Sequence, residues 1–93
     1  MVEAKIIWKR LEDGGKNKIP PINLIFYPMI KIKGESEIIN WSFKLINKQF
    51  ISDNETISDI GFLMPNAPHT ILKSGVEFIL FEGAKEIANG KIL

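Results

Sequence analysis

The chain has no cysteine, which excludes a disulfide framework, a thiolate metal site and a cysteine nucleophile. Histidine occurs once, as His69, so any triad would have to be built on it, and no Gly-x-Ser-x-Gly elbow surrounds a serine. Between Pro68 and Thr70, His69 is expected in a loop or at a barrel end with its ring nitrogens satisfied. No GxxxxGK(S/T) phosphate loop occurs, and Gly14-Gly15 lacks the spacing and the following helix of a dinucleotide fingerprint. No catalytic residue, metal ligand or cofactor is therefore expected. No apolar run approaches membrane-spanning length, and Val2-Glu3-Ala4-Lys5 is not a targeting segment. A soluble, cytoplasmic product without a membrane partner is expected. A dominant charge is missing as well: 12 basic and 11 acidic side chains leave a net +1, so any contact with nucleic acid would have to be local.

What is present fits one small domain over residues 1–93. A hydrophobic share of 45% is that of a globular chain, and a domain this size is marginal unless its core is well sealed. The aromatic side chains bury most area per residue. Trp8, Phe26, Tyr27, Trp41, Phe43, Phe62, Phe78 and Phe81 are the expected core.

Alternation is the dominant pattern. Val2, Ala4, Ile6 and Trp8 share one face and Glu3, Lys5 and Lys9 the other, which predicts a half-buried strand over Val2 to Leu11. The polar, Gly-rich run Glu12 to Lys18 and then Pro20-Pro21 must leave the sheet. Leu24 to Lys33 resumes alternation, with Leu24, Phe26, Ile30 and Ile32 on one side, Lys31 and Lys33 on the other, and Pro28 at an edge or bulge. Gly34 to Glu37 reads as a turn, and Ile38 to Phe50 as a strand with Trp41, Phe43 and Leu45 inward. Ser52 to Asp59 carries the acidic residues Asp53, Glu55 and Asp59 and reads as a surface loop. A short strand from Phe62 is cut by Pro65. Val76 to Leu93 closes the chain as a hairpin around Glu82-Gly83-Ala84-Lys85. Short strands at this spacing predict a small antiparallel barrel or sandwich.

Three stretches carry a resemblance. They are Glu3-Ala4 through Leu11-Glu12-Asp13-Gly14-Gly15-Lys16, then Tyr27-Pro28, and finally Lys73-Ser74-Gly75-Val76-Glu77-Phe78-Ile79-Leu80-Phe81-Glu82-Gly83 with Ile87-Ala88-Asn89-Gly90-Lys91-Ile92-Leu93. Together they resemble the opening strand and Glu-Gly-Gly-Arg loop, the proline-bearing strand, and the closing hairpin of the C-terminal barrel of bacterial elongation factor Tu. The resemblance implies an all-β fold, a small six-stranded antiparallel closed barrel standing alone. In that family the domain contacts tRNA and packs on protein neighbours. Of the loop residues only Lys16 matches, at the place of the family's arginine.

These readings predict a non-enzymatic binding module that recognises a protein partner. The alternative is a translation-related accessory that binds tRNA or rRNA. Lys16, Lys18, Lys31 and Lys33 are the candidate RNA contacts. Ile7 and Phe81 are the candidate partner contacts, because each is a large apolar side chain on the face of its strand that otherwise carries charge. A homo-oligomer through the same residues is left open.

Overall fold

Seven strands follow from the alternating stretches: β1 (Val2–Trp8), β2 (Ile25–Phe26), β3 (Met29–Ile32), β4 (Phe43–Phe50), β5 (Glu55–Phe62), β6 (Glu77–Glu82) and β7 (Lys85–Ile92). This computed structural model describes residues 1–16 and 18–93; Asn17, in the first loop, lies outside the described residues. The strands form one antiparallel sheet in the order β2-β4-β5-β1-β7-β6-β3, with no α-helix among the described residues. The all-β antiparallel expectation holds.

The expected closed six-stranded barrel is corrected. The sheet curls into a half-barrel whose ladder has two ends, because the predicted second strand is broken in two. Phe26 of β2 lies opposite Leu45 of β4, whereas Met29 of β3 lies opposite Phe81 of β6. Between them Pro28, which is buried, has no N–H to give either neighbour. The chain changes partners there, and the two edges of the sheet are joined by Tyr27-Pro28 alone.

The inner face is a single core. Ala4, Ile6 and Trp8 from β1, Phe43 and Leu45 from β4, Ile60 and Phe62 from β5, Phe78 and Leu80 from β6, and Ile87, Ala88 and Ile92 from β7 are all buried. The closing hairpin is as expected: Gly83 turns it at φ 63, and Phe78 and Leu80 face inward. Gly90 faces inward too, and a Cβ there would stand 2.4 Å from the Phe78 ring. The ring lies where that side chain would be.

Four aromatic or aliphatic assignments are corrected. Tyr27 and Leu24 are exposed, at 61% and 54%. Trp41 is exposed at 37%, because the strand begins only at Phe43 and Ile38–Ser42 approaches it as irregular backbone. Phe81 is half-buried on the outer face. Ser52–Asp59 is corrected as well: only its first part is a turn, and Glu55 begins β5, a strand paired on both sides.

Why β5 was not legible is physical. Its inward residues Thr56, Ser58, Ile60 and Phe62 alternate with Glu55, Ile57, Asp59 and Gly61, so two of the four core positions carry hydroxyls and the outward Ile57 is apolar. The hydroxyls are tolerated because they belong to one relay of hydrogen bonds. Trp8 Nε1 donates to Thr56 Oγ1 at 2.9 Å, and the Thr56 and Ser58 hydroxyls are 3.0 Å apart. Ser58 Oγ donates to Asn47 Oδ1 at 2.6 Å, and Asn47 Nδ2 donates to the Pro20 carbonyl at 2.8 Å. Buried polar groups left without partners cost about 1–3 kcal/mol each. Among the described residues no buried side-chain polar atom lacks one. The relay also anchors the first loop beneath the sheet.

Candidate partner-binding cleft

The break in the second strand leaves two gaps, one on each side of Tyr27-Pro28. The gap between β2 and β6 is filled. Lys16, from the first loop, places its ammonium 4.8 Å from the Phe26 ring centroid and 2.9 Å from both carboxylate oxygens of Glu82. Its side chain is 19% exposed, so it is a plug between the strands as much as a surface charge.

The gap between β3 and β4 is open. The irregular segment before β4 runs along it, held at one end by the Ile39 N–H donating to the Ile30 carbonyl at 2.8 Å and at the other by the Leu63 N–H donating to the Ser42 carbonyl at 3.0 Å. The cleft is about 400 Å³, lined by Tyr27, Pro28 and Met29 on one wall, Ile39 to Phe43 on the other, and Leu63 at the end. Tyr27, Met29, Trp41 and Leu63 are all exposed. Beneath it Phe43 packs edge-on against Phe62, with ring centroids 5.4 Å apart.

No charged residue lines this cleft. Three further concavities differ: one is lined by Lys9, Arg10, Glu12, Lys16, Lys18 and Asp53, one by Glu35 and Glu37 among apolar residues, and one by Lys33, Glu77 and Glu86. Yet the cleft is not without polarity. Tyr27 Oη, Asn40 Nδ2, Trp41 Nε1 and Ser42 Oγ are hydrogen-bond donors, and none is engaged with another side chain or backbone group among the described residues.

Of the lysines singled out from the sequence, Lys16 and Lys18 line one concavity together with Lys9 and Arg10, whereas Lys31 and Lys33 lie outside it. Lys33 is 3.5 Å from Glu77 at the start of β6, while Lys16 pairs with Glu82 at its end. Five residues of strand at about 3.3 Å each put those carboxylate partners roughly 16 Å apart. Lys31 extends over the Phe81 ring, 5.9 Å from its centroid, and Lys18 is exposed. The acidic residues are dispersed, Asp53 to Arg10, Glu55 to Lys5 and Asp59 to Lys48. The Arg10 guanidinium, hydrogen-bonded to Asp53, holds that carboxyl below its ordinary range. Among the described residues no three histidine, aspartate or glutamate side chains converge on a point. His69 Nε2 lies 2.9 and 3.2 Å from the Met64 and Pro65 carbonyl oxygens, which only accept, so this nitrogen is the donor.

Ile7 and Phe81 do not form one patch. Ile7 is 40% exposed between Glu55 and Asn89, whereas Phe81 is half-buried opposite Met29, and neither lines the open cleft. Sequence reasoning placed Tyr27 and Trp41 in the core. The signal that would have found them was local: Pro28 directly after Tyr27, and polar Asn40 and Ser42 on either side of Trp41. No helix of the described residues is long and apolar enough to cross a membrane. No family model matches the chain, and neither a characterised protein nor a solved structure shows similarity to it.

Proposed function

We propose that the chain is a non-enzymatic binding module, related to the C-terminal barrel of elongation factor Tu and cytoplasmic, that recognises a protein partner through the open cleft. The observation that carries this reading is an uncharged concavity with Tyr27 and Trp41 exposed at its mouth. Protein interfaces enrich Tyr and Trp at their centres and deplete charge there. The reading as a translation-related RNA accessory rests on Lys16, Lys18, Lys31 and Lys33. It is the weaker one, since Lys16 and Lys33 already have carboxylate partners and Lys31 lies over an aromatic ring.

Salt separates the two. Phosphate contacts lose affinity steeply between about 0.05 and 0.2 M salt, whereas an uncharged interface does not. In a pull-down from the native host, the expected result is a protein retained across that range by the wild type and lost from the Tyr27→Ala/Trp41→Ala variant. RNA that elutes with rising salt, with no difference between the two chains, would replace this reading with the other.

A further inference from the structure

Resting on the protein-binding reading, we infer that the open cleft takes a proline-rich segment in the polyproline II conformation. Three features of its walls converge on that chemistry. The first is the absence of charge, which removes any counterpart for a phosphate, a carboxylate or an ammonium. The second is the state of the backbone. An added β-strand needs a run of free main-chain groups along an edge, and this seam is interrupted: the Ile39 N–H and the Ile30 carbonyl are bonded to each other, and Pro28 has no N–H.

The third feature is the kind of polar group that remains. Tyr27 Oη, Asn40 Nδ2, Trp41 Nε1 and Ser42 Oγ can all donate. A polyproline II segment makes no internal hydrogen bonds, and its prolines have carbonyl oxygens but no N–H to match them. Its carbonyls therefore find donors in the cleft, among which the Trp41 indole N–H can only donate. Its pyrrolidine rings are apolar and fit against the faces of Tyr27 and Trp41, the mode by which aromatic-lined grooves hold such segments. Because the segment is extended before it binds, little conformational entropy is lost on docking. A small cleft with few contacts can use such a ligand.

The two tryptophans supply the assay. Trp8 is buried and donates to Thr56, whereas Trp41 lines the cleft, so the two indole N–H resonances of the ¹⁵N-labelled full chain report core and cleft separately. Blocked decaproline, added up to about 1 mM, is expected to shift the Trp41 indole resonance saturably and leave Trp8 in place. Tyr27→Ala should weaken that binding at least about tenfold while the rest of the spectrum stays native. A blocked Gly-Ser decapeptide should not bind. If decaproline fails and a blocked Val-Thr strand-forming peptide saturates the Trp41 signal instead, the polyproline inference is overturned and the protein-binding reading stands. If decauridylate alone shifts Trp41, both fall in favour of nucleic acid. No shift with any of these probes also overturns the inference, and the pull-down then judges the protein-binding reading separately.

Discussion

The two gaps beside Tyr27-Pro28 have one cause and opposite outcomes. Both exist because the chain changes strand partners at Pro28. Between β2 and β6 the first loop returns and Lys16 fills the space, with its alkyl stem and ammonium set between Phe26 and Glu82. Between β3 and β4 the returning segment Ile39–Ser42 has only short polar residues beside Trp41, and it lines the space without filling it. A partner change in a sheet thus creates a seam, and the local sequence decides whether that seam is part of the fold or part of the surface. On this protein one seam is structural and the other is presented to solvent.

The comparison assumes that the sheet, and neither gap, holds the fold. Phe78→Ala tests this with the largest effect. The ring covers Gly90 and meets Ile6 in the shared core, so its removal should cost about 3–5 kcal/mol by denaturant unfolding. A loss under about 1 kcal/mol would mean that the core lies elsewhere. Asn47→Leu comes next. It leaves the Ser58 hydroxyl and the Pro20 carbonyl without their partner, which should cost about 2 kcal/mol and loosen the first loop. Amides of that loop should then exchange faster with solvent, while those around Trp41 keep their protection.

Lys16→Ala addresses the filled seam directly. The ion pair is half-exposed and the ring contact modest, so the expected loss is about 1 kcal/mol. Its diagnostic is spatial: hydrogen exchange should rise at Phe26 and Glu82. Tyr27→Ala, by contrast, should change stability by no more than about 0.5 kcal/mol, because an exposed side chain at the other seam is not holding strands together. If Lys16→Ala proves as silent as Tyr27→Ala, the distinction between the seams fails.

The smallest effect concerns the foot of the plugging loop, where Arg10 clasps Asp53 at 2.6 Å. The folded carboxyl titrates below its ordinary range, with the hydrogen bond from Arg10 as the first cause. A carboxylate lowered on folding stabilises above its unfolded pKa, and that contribution disappears as the pH falls below about 4. Asp53→Asn should therefore lower stability slightly at neutral pH, leave it unchanged in strong acid and so flatten the acid limb of the profile, the effect being small because both partners are at the surface.

Much of the fold was legible because period-2 alternation is a local property. The shared face of Ala4, Ile6 and Trp8 in β1 was legible from spacing alone, and Gly83 marked the turn of the closing hairpin. Pro28 was legible as an interruption. The site was not legible in the same way. Tyr27, Trp41 and Phe81 look like core residues to any reading that equates aromatic with buried, and of the three only Phe81 also drew notice for standing on a charged face.

What the sequence by itself determined is the set of segments that alternate, the faces they turn inward and the points where proline or glycine stops them, since these depend on neighbours along the chain. Only the tertiary structure decided three other things. β5 is a strand because Trp8 and Asn47, distant along the chain, supply partners for its inward hydroxyls. The barrel stays open because β2 and β3 meet different strands, a matter of which edges come together in space. Lys16 fills one seam and none of the described residues fills the other, because only the curling of the sheet brings a first-loop lysine beside Glu82 and leaves Tyr27 and Trp41 lining an open cleft.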